Sequence, residues 1–378
     1  MKVTVTILDK NIKGLEKFTT KLISMTFIVT LVLTFAFCIR YIKVSPDILK
    51  LSTNFRQAEK FEISIVDLFI GSIPALNSNN YSINEGQKST DKILTNNNNK
   101  TEIDLIDDMV NEKRLNELEV LKKSELENLT IKNTDNLQRI NVYDMSILNY
   151  SSNRNFDLNK LFSKVINLTK SSDKILLYNT HTSESYINSE KYKFEYSGTA
   201  RSQDEKYNMI NIAKEFEKNL SEKLISVYQD TTPHDYGTYT SAYLKSRTTV
   251  KSVLAKTPGI GLSIDVHRDA AADLAFRPVV DINGVQVAKL MFVIGVGTNT
   301  SKNEYWEENL SLAVQLQKIA DEIYPGLFRP MIVRNSVYNQ DLNKFSFLIE
   351  VGATGNTIDE AMLATRCLSN ILNIIYKN

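Results

Sequence analysis

The chain has three histidines in 378 residues, and two of them, His181 and His267, end apolar runs that read as β-strands. The first run is Ile175-Leu176-Leu177-Tyr178, continued by Asn179-Thr180-His181. The second spans residues 261–266 and is closed by His267. A carboxylate follows the first histidine in His181-Thr182-Ser183-Glu184-Ser185. A tight turn after a strand can aim residues i and i+3 at one point, so this segment offers two metal ligands and His267 a third. Two imidazoles and a carboxylate suit catalytic zinc, with the fourth position left to water. Zinc lowers the pKa of such a water to about 7, which is hydrolytic chemistry at neutral pH. Glu350, in Phe347-Leu348-Ile349-Glu350-Val351-Gly352, ends another apolar strand. Burial there would raise its pKa and suit it to take a proton from water and pass it to a leaving amine. Each feature also has a plainer reading. His-x-x-Glu arises by chance, and a strand-end carboxylate serves equally as a cap or an ion-pair partner. The conjunction in one stretch of chain is what points to a hydrolytic site.

The elements that must position these groups follow from the hydrophobic pattern. Strands are expected at residues 175–178, 224–227, 261–266, 289–296, 331–333 and 345–351. Helices are expected around 209–220, 243–254, 305–323 and 358–375, two of them stopped by Pro258-Gly259 and Pro325-Gly326. Strands alternating with helices of this length indicate an α/β fold, with a mostly parallel sheet flanked by helices. Such sheets carry their functional groups beyond the carboxyl ends of the strands.

Upstream, residues 22–39 hold no charge: LISMTFIVTLVLTFAFCI. As a helix this run would be roughly 27 Å long, enough to cross the hydrocarbon of a bilayer. Phe37 before Cys38 does not suit a lipoprotein cleavage site, so an uncleaved transmembrane anchor is expected. Five lysines precede the run and only Arg40 and Lys43 follow it closely, which places residues 1–21 in the cytoplasm and the rest outside. Residues 40–171 read as an Asn-rich, low-complexity arm, with a charged helical pattern over 103–132 and a short helix within 145–168. The compact domain is expected at 172–378. A net charge of +1 argues against a nucleic-acid partner, and two cysteines exclude a disulfide scaffold.

Five stretches carry a resemblance to a known family. They are residues 175–186 (ILLYNTHTSESY), Thr232-Pro233-His234-Asp235-Tyr236, Ile264-Asp265-Val266-His267-Arg268-Asp269-Ala270, Tyr338-Asn339-Gln340-Asp341-Leu342 and Leu348-Ile349-Glu350-Val351-Gly352. Together they resemble stage II sporulation protein P, a family of peptidoglycan hydrolases related to the zinc-dependent N-acetylmuramoyl-L-alanine amidases. The resemblance implies a zinc amidase/carboxypeptidase-like fold, a Zn2+ cofactor and cleavage of stem peptides from glycan, with endopeptidase action on cross-links. It implies work at the engulfing mother-cell membrane during sporulation, with stage II sporulation proteins D and M as partners. By the same resemblance His181 and His267 are metal ligands and Glu350 the general acid/base. The third ligand is Glu184 or, from the helix after the first strand, Asp204 or Glu205. Arg268, next to a ligand, is placed to polarise the scissile carbonyl or to pair with a carboxylate. His234 is a substrate contact or a packed loop histidine. A scaffold that binds peptidoglycan without cutting it, and a zinc carboxypeptidase, are the competing readings.

Overall fold

The computed structural model describes residues 100–112, 130–134, 137–142, 145–151, 156–195 and 200–377. The strands in chain order are β1 (Thr130–Thr134), β2 (Leu137–Val142), β3 (Met145–Asn149), β4 (Leu168–Thr169), β5 (Lys174–Tyr178), β6 (Val227–Gln229), β7 (Ile260–Asp269), β8 (Val279–Ile282), β9 (Val285–Ala288), β10 (Leu290–Gly295), β11 (Met331–Arg334), β12 (Ser346–Ala353) and β13 (Tyr376–Lys377). The α-helices are α1 (Glu102–Glu112), α2 (Leu158–Ser163), α3 (Met209–Ser221), α4 (Ala242–Lys256), α5 (Trp306–Ile323) and α6 (Ile358–Ile375). Among the described residues one sheet of nine strands runs β1-β2-β3-β11-β10-β12-β7-β5-β6. The block β12-β7-β5-β6 is parallel, as is β3-β11-β10. Antiparallel pairs join β10 to β12 and link β1, β2 and β3.

Strand alternation decides which groups meet. In β7, Leu262, Ile264 and Val266 enter the main core; so do Phe347, Ile349 and Val351 of β12, with Phe216 of α3, Leu316 of α5 and Leu368 of α6. Asp265 and His267 therefore face the other side, together with Leu348 and Glu350. On that second face Leu176 and Tyr178 of β5 pack against Val250 and Val253 of α4. Tyr338 lies against the patch formed by Met291, Val293 and Leu348. The helices behind the sheet are well started. Thr357 and Glu360 form a capping box at α6, and Asn208 caps α3 through the amide of Ile210.

The compact domain begins well before residue 172. Three strands from 130–149 extend the sheet, and α1 inserts the fully buried Ile106 into the main core. Asp107 of α1 pairs with Arg366 of α6. The C-terminal part of the expected arm is thus sheet and helix. Its strands (TIKNT, LQRINV, MSILN) mix apolar with polar residues and lie towards one edge of the sheet, so they merge with their polar surroundings. The short helix expected within 145–168 is α2, at 158–163, preceded by strand at 145–149. The β8–β9 hairpin also went unread. It turns on Asn283-Gly284, both at positive φ (52° and 86°), the pair that a two-residue hairpin turn favours. The expected anchor at 22–39 lies outside the described residues. Among those described, no helix is long and apolar enough to cross a membrane.

Candidate active site

The site is assembled at the carboxyl ends of β5, β7 and β12. After Tyr178 the chain is tied to β7: the Thr180 amide and hydroxyl donate to the two carboxylate oxygens of Asp265 at 2.8 and 2.7 Å, and Asn179 Nδ2 donates to the Val266 carbonyl at 2.7 Å. The next three residues turn back, with the Glu184 amide donating to the His181 carbonyl at 3.1 Å. This is the i to i+3 turn expected from the spacing, and it brings the Glu184 carboxylate to His267. Oε2 lies 3.3 Å from His267 Nδ1. The His181 and His267 rings meet edge to face with centroids 5.3 Å apart. Glu350 is the register partner of His267 across the parallel β7–β12 pair. The backbone thus brings His181, Glu184, His267 and Glu350 to neighbouring positions at one set of strand ends.

Burial divides the roles of these groups. Burial pushes the His181 pKa down to about 4, so its ring is neutral at pH 7. Glu184 is held below the usual carboxylate range: burial opposes ionisation, but Arg268, His267 and His181 outweigh it. Burial pushes Glu350 the other way, to about 8, against the nearby His267 and with help from Asp269. His267 lies between Glu184 and Asp265, whose Oδ1 is 2.9 Å from Nε2 without hydrogen-bond alignment. Burial would lower the His267 pKa, yet these two carboxylates raise it.

The donor types fit a zinc ion. His181 Nδ1 is buried with no partner, a neutral lone-pair donor for which the protein supplies no hydrogen bond. Glu184 is ionised beside it. As they stand, no three His, Cys, Asp or Glu side chains among the described residues are gathered in a cation-binding cluster. His267 is paired with Glu184 instead, and taking up an ion would exchange that pair for ligation.

Three choices that the sequence left open can be set against the structure. Asp204 and Glu205 are exposed; Asp204 caps a 3₁₀ turn through the Lys206 amide, and Glu205 pairs with Lys214 at 3.3 Å. Neither competes with Glu184. His234 is 1% exposed, with Nδ1 2.8 Å from the Asn179 carbonyl and Nε2 3.0 Å from Thr249 Oγ1. Both ring nitrogens are used, so it ties its loop to the end of β5 and has none left for substrate. Arg268 is 3% exposed and points away from His267. It donates through Nε to the Ser185 carbonyl at 2.8 Å and through Nη2 to the Ala200 carbonyl at 3.2 Å, with Nη1 3.9 Å from Glu184 Oε1. Alternation along β7 is the reason: neighbours of His267 face the opposite side. Arg268 supports Glu184 rather than a substrate carbonyl. Arg268→Ala should cost about 1–3 kcal/mol in urea unfolding, because it takes a donor from the buried Ser185 and Ala200 carbonyls and one cation from Glu184, which keeps His267 and Arg201 nearby. A loss below about 1 kcal/mol would contradict that support.

Sequence reasoning passed over Asp265, although Asp-x-His on a strand places both side chains on one face. It also passed over the aromatic wall. Tyr239 stacks on His181, Tyr243 meets it edge-on, and Tyr338 lies 5.7 Å from Tyr243. Tyr338 and Asn339 hold consecutive positive φ values (46° and 57°). Asn339 Nδ2 donates to Ser246 Oγ, and Gln340 bonds Val293 and Gly295, which fixes this strained segment over the sheet.

The sequence profile of Stage II sporulation protein P (SpoIIP) matches residues 66–373. The chain belongs to that family. A family relative, Stage II sporulation protein P of Bacillus subtilis (strain 168), is 31% identical over 143 residues. That alignment covers 36% of this chain and 34% of the relative, about a third of its length. Among solved structures, the catalytic domain of CwlV, an N-acetylmuramoyl-L-alanine amidase from Bacillus (Paenibacillus) polymyxa var. colistinus, aligns at 10% identity and TM-score 0.33, covering 53% of this chain and 96% of that one. The CwlD amidase of Clostridioides difficile, solved with the GerS lipoprotein, aligns at 12% identity and TM-score 0.31, covering 54% and 95%. A metallo-carboxypeptidase from Burkholderia cenocepacia aligns at 10% and 0.29, covering 70% and 68%. Scores of this size carry no functional argument. Family membership rests on the profile.

Proposed function

We propose that this member of the stage II sporulation protein P family is a zinc-dependent N-acetylmuramoyl-L-alanine amidase, cutting between the lactyl group of muramic acid and the L-alanine of the stem peptide. The observation that carries the reading is the pairing of an orphaned, neutral His181 Nδ1 with an ionised Glu184 and a raised, unpartnered Glu350 at one set of strand ends. His181, Glu184 and His267 would hold the ion. Bound zinc would supply Lewis acidity, making attack of water on an amide feasible at neutral pH.

The protein's own groups do the rest. Glu350 Oε2 is buried with no internal hydrogen bond to give up, so the carboxyl would lose none in serving a water and the scissile amide brought to it. With its pKa at about 8, Glu350 lies near working pH and can both accept and return a proton. It would take the proton of the attacking water and deliver it to the departing L-alanine nitrogen. Asp265 and Arg268 would hold His267 and Glu184 in place, and Tyr239, Tyr243 and Tyr338 would wall the site. The anchor expected at 22–39 would keep this domain outside the cytoplasm, against peptidoglycan, where stage II sporulation proteins D and M are the expected partners.

The test is digestion of purified sacculi by the full-length chain, with products identified by mass spectrometry. Whole stem peptides with a free L-alanine amine are expected, and chelation should abolish them. Peptides released only by cuts within the stem would favour a peptidase; unchanged sacculi would favour a scaffold.

Titration gives a second check. In the metal-free chain Glu350 keeps its proton to about pH 8, whereas the ordinary residue loses it near 4.5. The folded state binds more protons between those values, so stability from this residue falls as pH rises through the window. Wild type should therefore lose stability relative to Glu350→Gln between pH 4.5 and 8 in urea titrations. A pH-independent difference would contradict the burial argument.

A further inference from the structure

The chain has three histidines, and polar contacts fix two of their rings. His234 is bound at both nitrogens, to Asn179 and Thr249. His267 is lodged between Glu184 and Asp265, at 3.3 and 2.9 Å. The His181 ring makes no hydrogen bond to any described residue, and its Nδ1 is buried without a partner. A metal-ligating imidazole is ordinarily oriented by a hydrogen bond at its other nitrogen, and loss of such a support costs about 10–100-fold in metal affinity or activity. Something else must hold His181.

Rings hold it. Tyr239, on the 3₁₀ turn Tyr239–Ser241 before α4, stacks on His181 with centroids 4.2 Å apart and planes within 7°. Tyr243, one helical turn further on, meets His181 edge-on at 5.6 Å and 89°. Parallel and perpendicular contacts together leave the imidazole little freedom about its Cβ–Cγ bond. Tyr239 is itself held. The Arg201 guanidinium lies over its ring, 4.6 Å from the centroid. Arg201 in turn donates to Asp235 Oδ2 at 3.1 Å and Ser183 Oγ at 3.0 Å, and lies 3.7 Å from Glu184 Oε1. Asp235 also accepts from the Ser183 amide and hydroxyl, within the turn that carries His181 and Glu184. The stack is therefore anchored to the same turn as the ligands it orients.

We propose that Tyr239, steadied by Arg201, is the positioning residue for His181, its ring stack taking the place of the usual orienting hydrogen bond and presetting the imidazole for zinc. This rests on the metal reading given above. The stack on His181 uses the ring, whereas the phenol oxygen's contact is with Arg201, so removing that oxygen leaves the stack itself in place. An ordinary half-buried tyrosine packed for stability would show no such dependence on aromaticity at the metal.

The experiment measures zinc affinity of the full-length chain in detergent by competition with a chromophoric chelator at pH 7, alongside the visible spectrum of the cobalt(II)-substituted protein. Tyr239→Leu is expected to weaken zinc binding about 10–100-fold and to change the cobalt bands, while Tyr239→Phe stays within about threefold of wild type. Tyr239→Met, which keeps apolar volume without a ring, repeats the test should the leucine variant unfold. Wild-type affinity and an unaltered cobalt spectrum in Tyr239→Leu and Tyr239→Met would overturn the proposal. So would equal losses in the leucine and phenylalanine variants. A wild-type chain that takes up no zinc would overturn the metal reading itself, and is distinguished by failing before any substitution is made.

Discussion

Glu350→Gln should lower the rate of sacculus digestion by about 10²–10⁴-fold, the range that general acid–base catalysis contributes, and leave zinc content unchanged. The substitution keeps the shape of the side chain and removes its ability to take a proton. Glu350 is suited to this test because its Oε2 is buried without a hydrogen bond, so the protein loses no internal contact. Its place is set by β12, whose register pairs it with His267. The rate loss should appear in kcat with little change in KM, since the role assigned is in the chemical step. Wild-type turnover in this variant would remove Glu350 from the mechanism.

His181→Ala and His267→Ala should both release zinc and abolish digestion, but they should differ in stability. His181 makes no hydrogen bond to a described residue, so its loss removes the proposed metal donor and a stacking partner of Tyr239. That chain is expected to fold with a near-wild-type urea midpoint. His267 lies against two buried carboxylates, Glu184 and Asp265. Its removal takes a cationic neighbour from both, while Thr180 still donates to Asp265 and Arg201 and Arg268 stay near Glu184, so a loss of about 1–3 kcal/mol is expected. Zinc content by elemental analysis and urea unfolding separate the two effects. Full zinc occupancy in either variant would contradict its assignment as a ligand.

The central strands were legible because parallel strands buried on both faces read as unbroken apolar runs, as in Ile175-Leu176-Leu177-Tyr178. The histidines stood out because polar groups at the ends of such runs have no packing role to explain them. His181, Glu184, His267 and Glu350 could therefore be singled out from strand ends and a three-residue spacing. The strands β1–β3 were hidden because TIKNT, LQRINV and MSILN interrupt their apolar residues with polar ones and give no continuous apolar run. The carbonyl-polarising reading of Arg268 took adjacency in sequence for adjacency in space, whereas a strand sends neighbours to opposite faces. The Tyr239 stack and the Arg201 support join segments separated by tens of residues, and no local pattern announces them. His234 illustrates the same limit: its two partners, Asn179 and Thr249, lie on different elements.

The most direct measurement is a crystal structure of the zinc-loaded chain with anomalous data collected on both sides of the zinc edge. The expected result is a single strong peak bonded to His181, Glu184 and His267, with Glu350 facing its open side and Tyr239 still stacked on His181. A peak elsewhere, or none while His267 remains paired with Glu184, would contradict the assignment of this site as a zinc hydrolase centre.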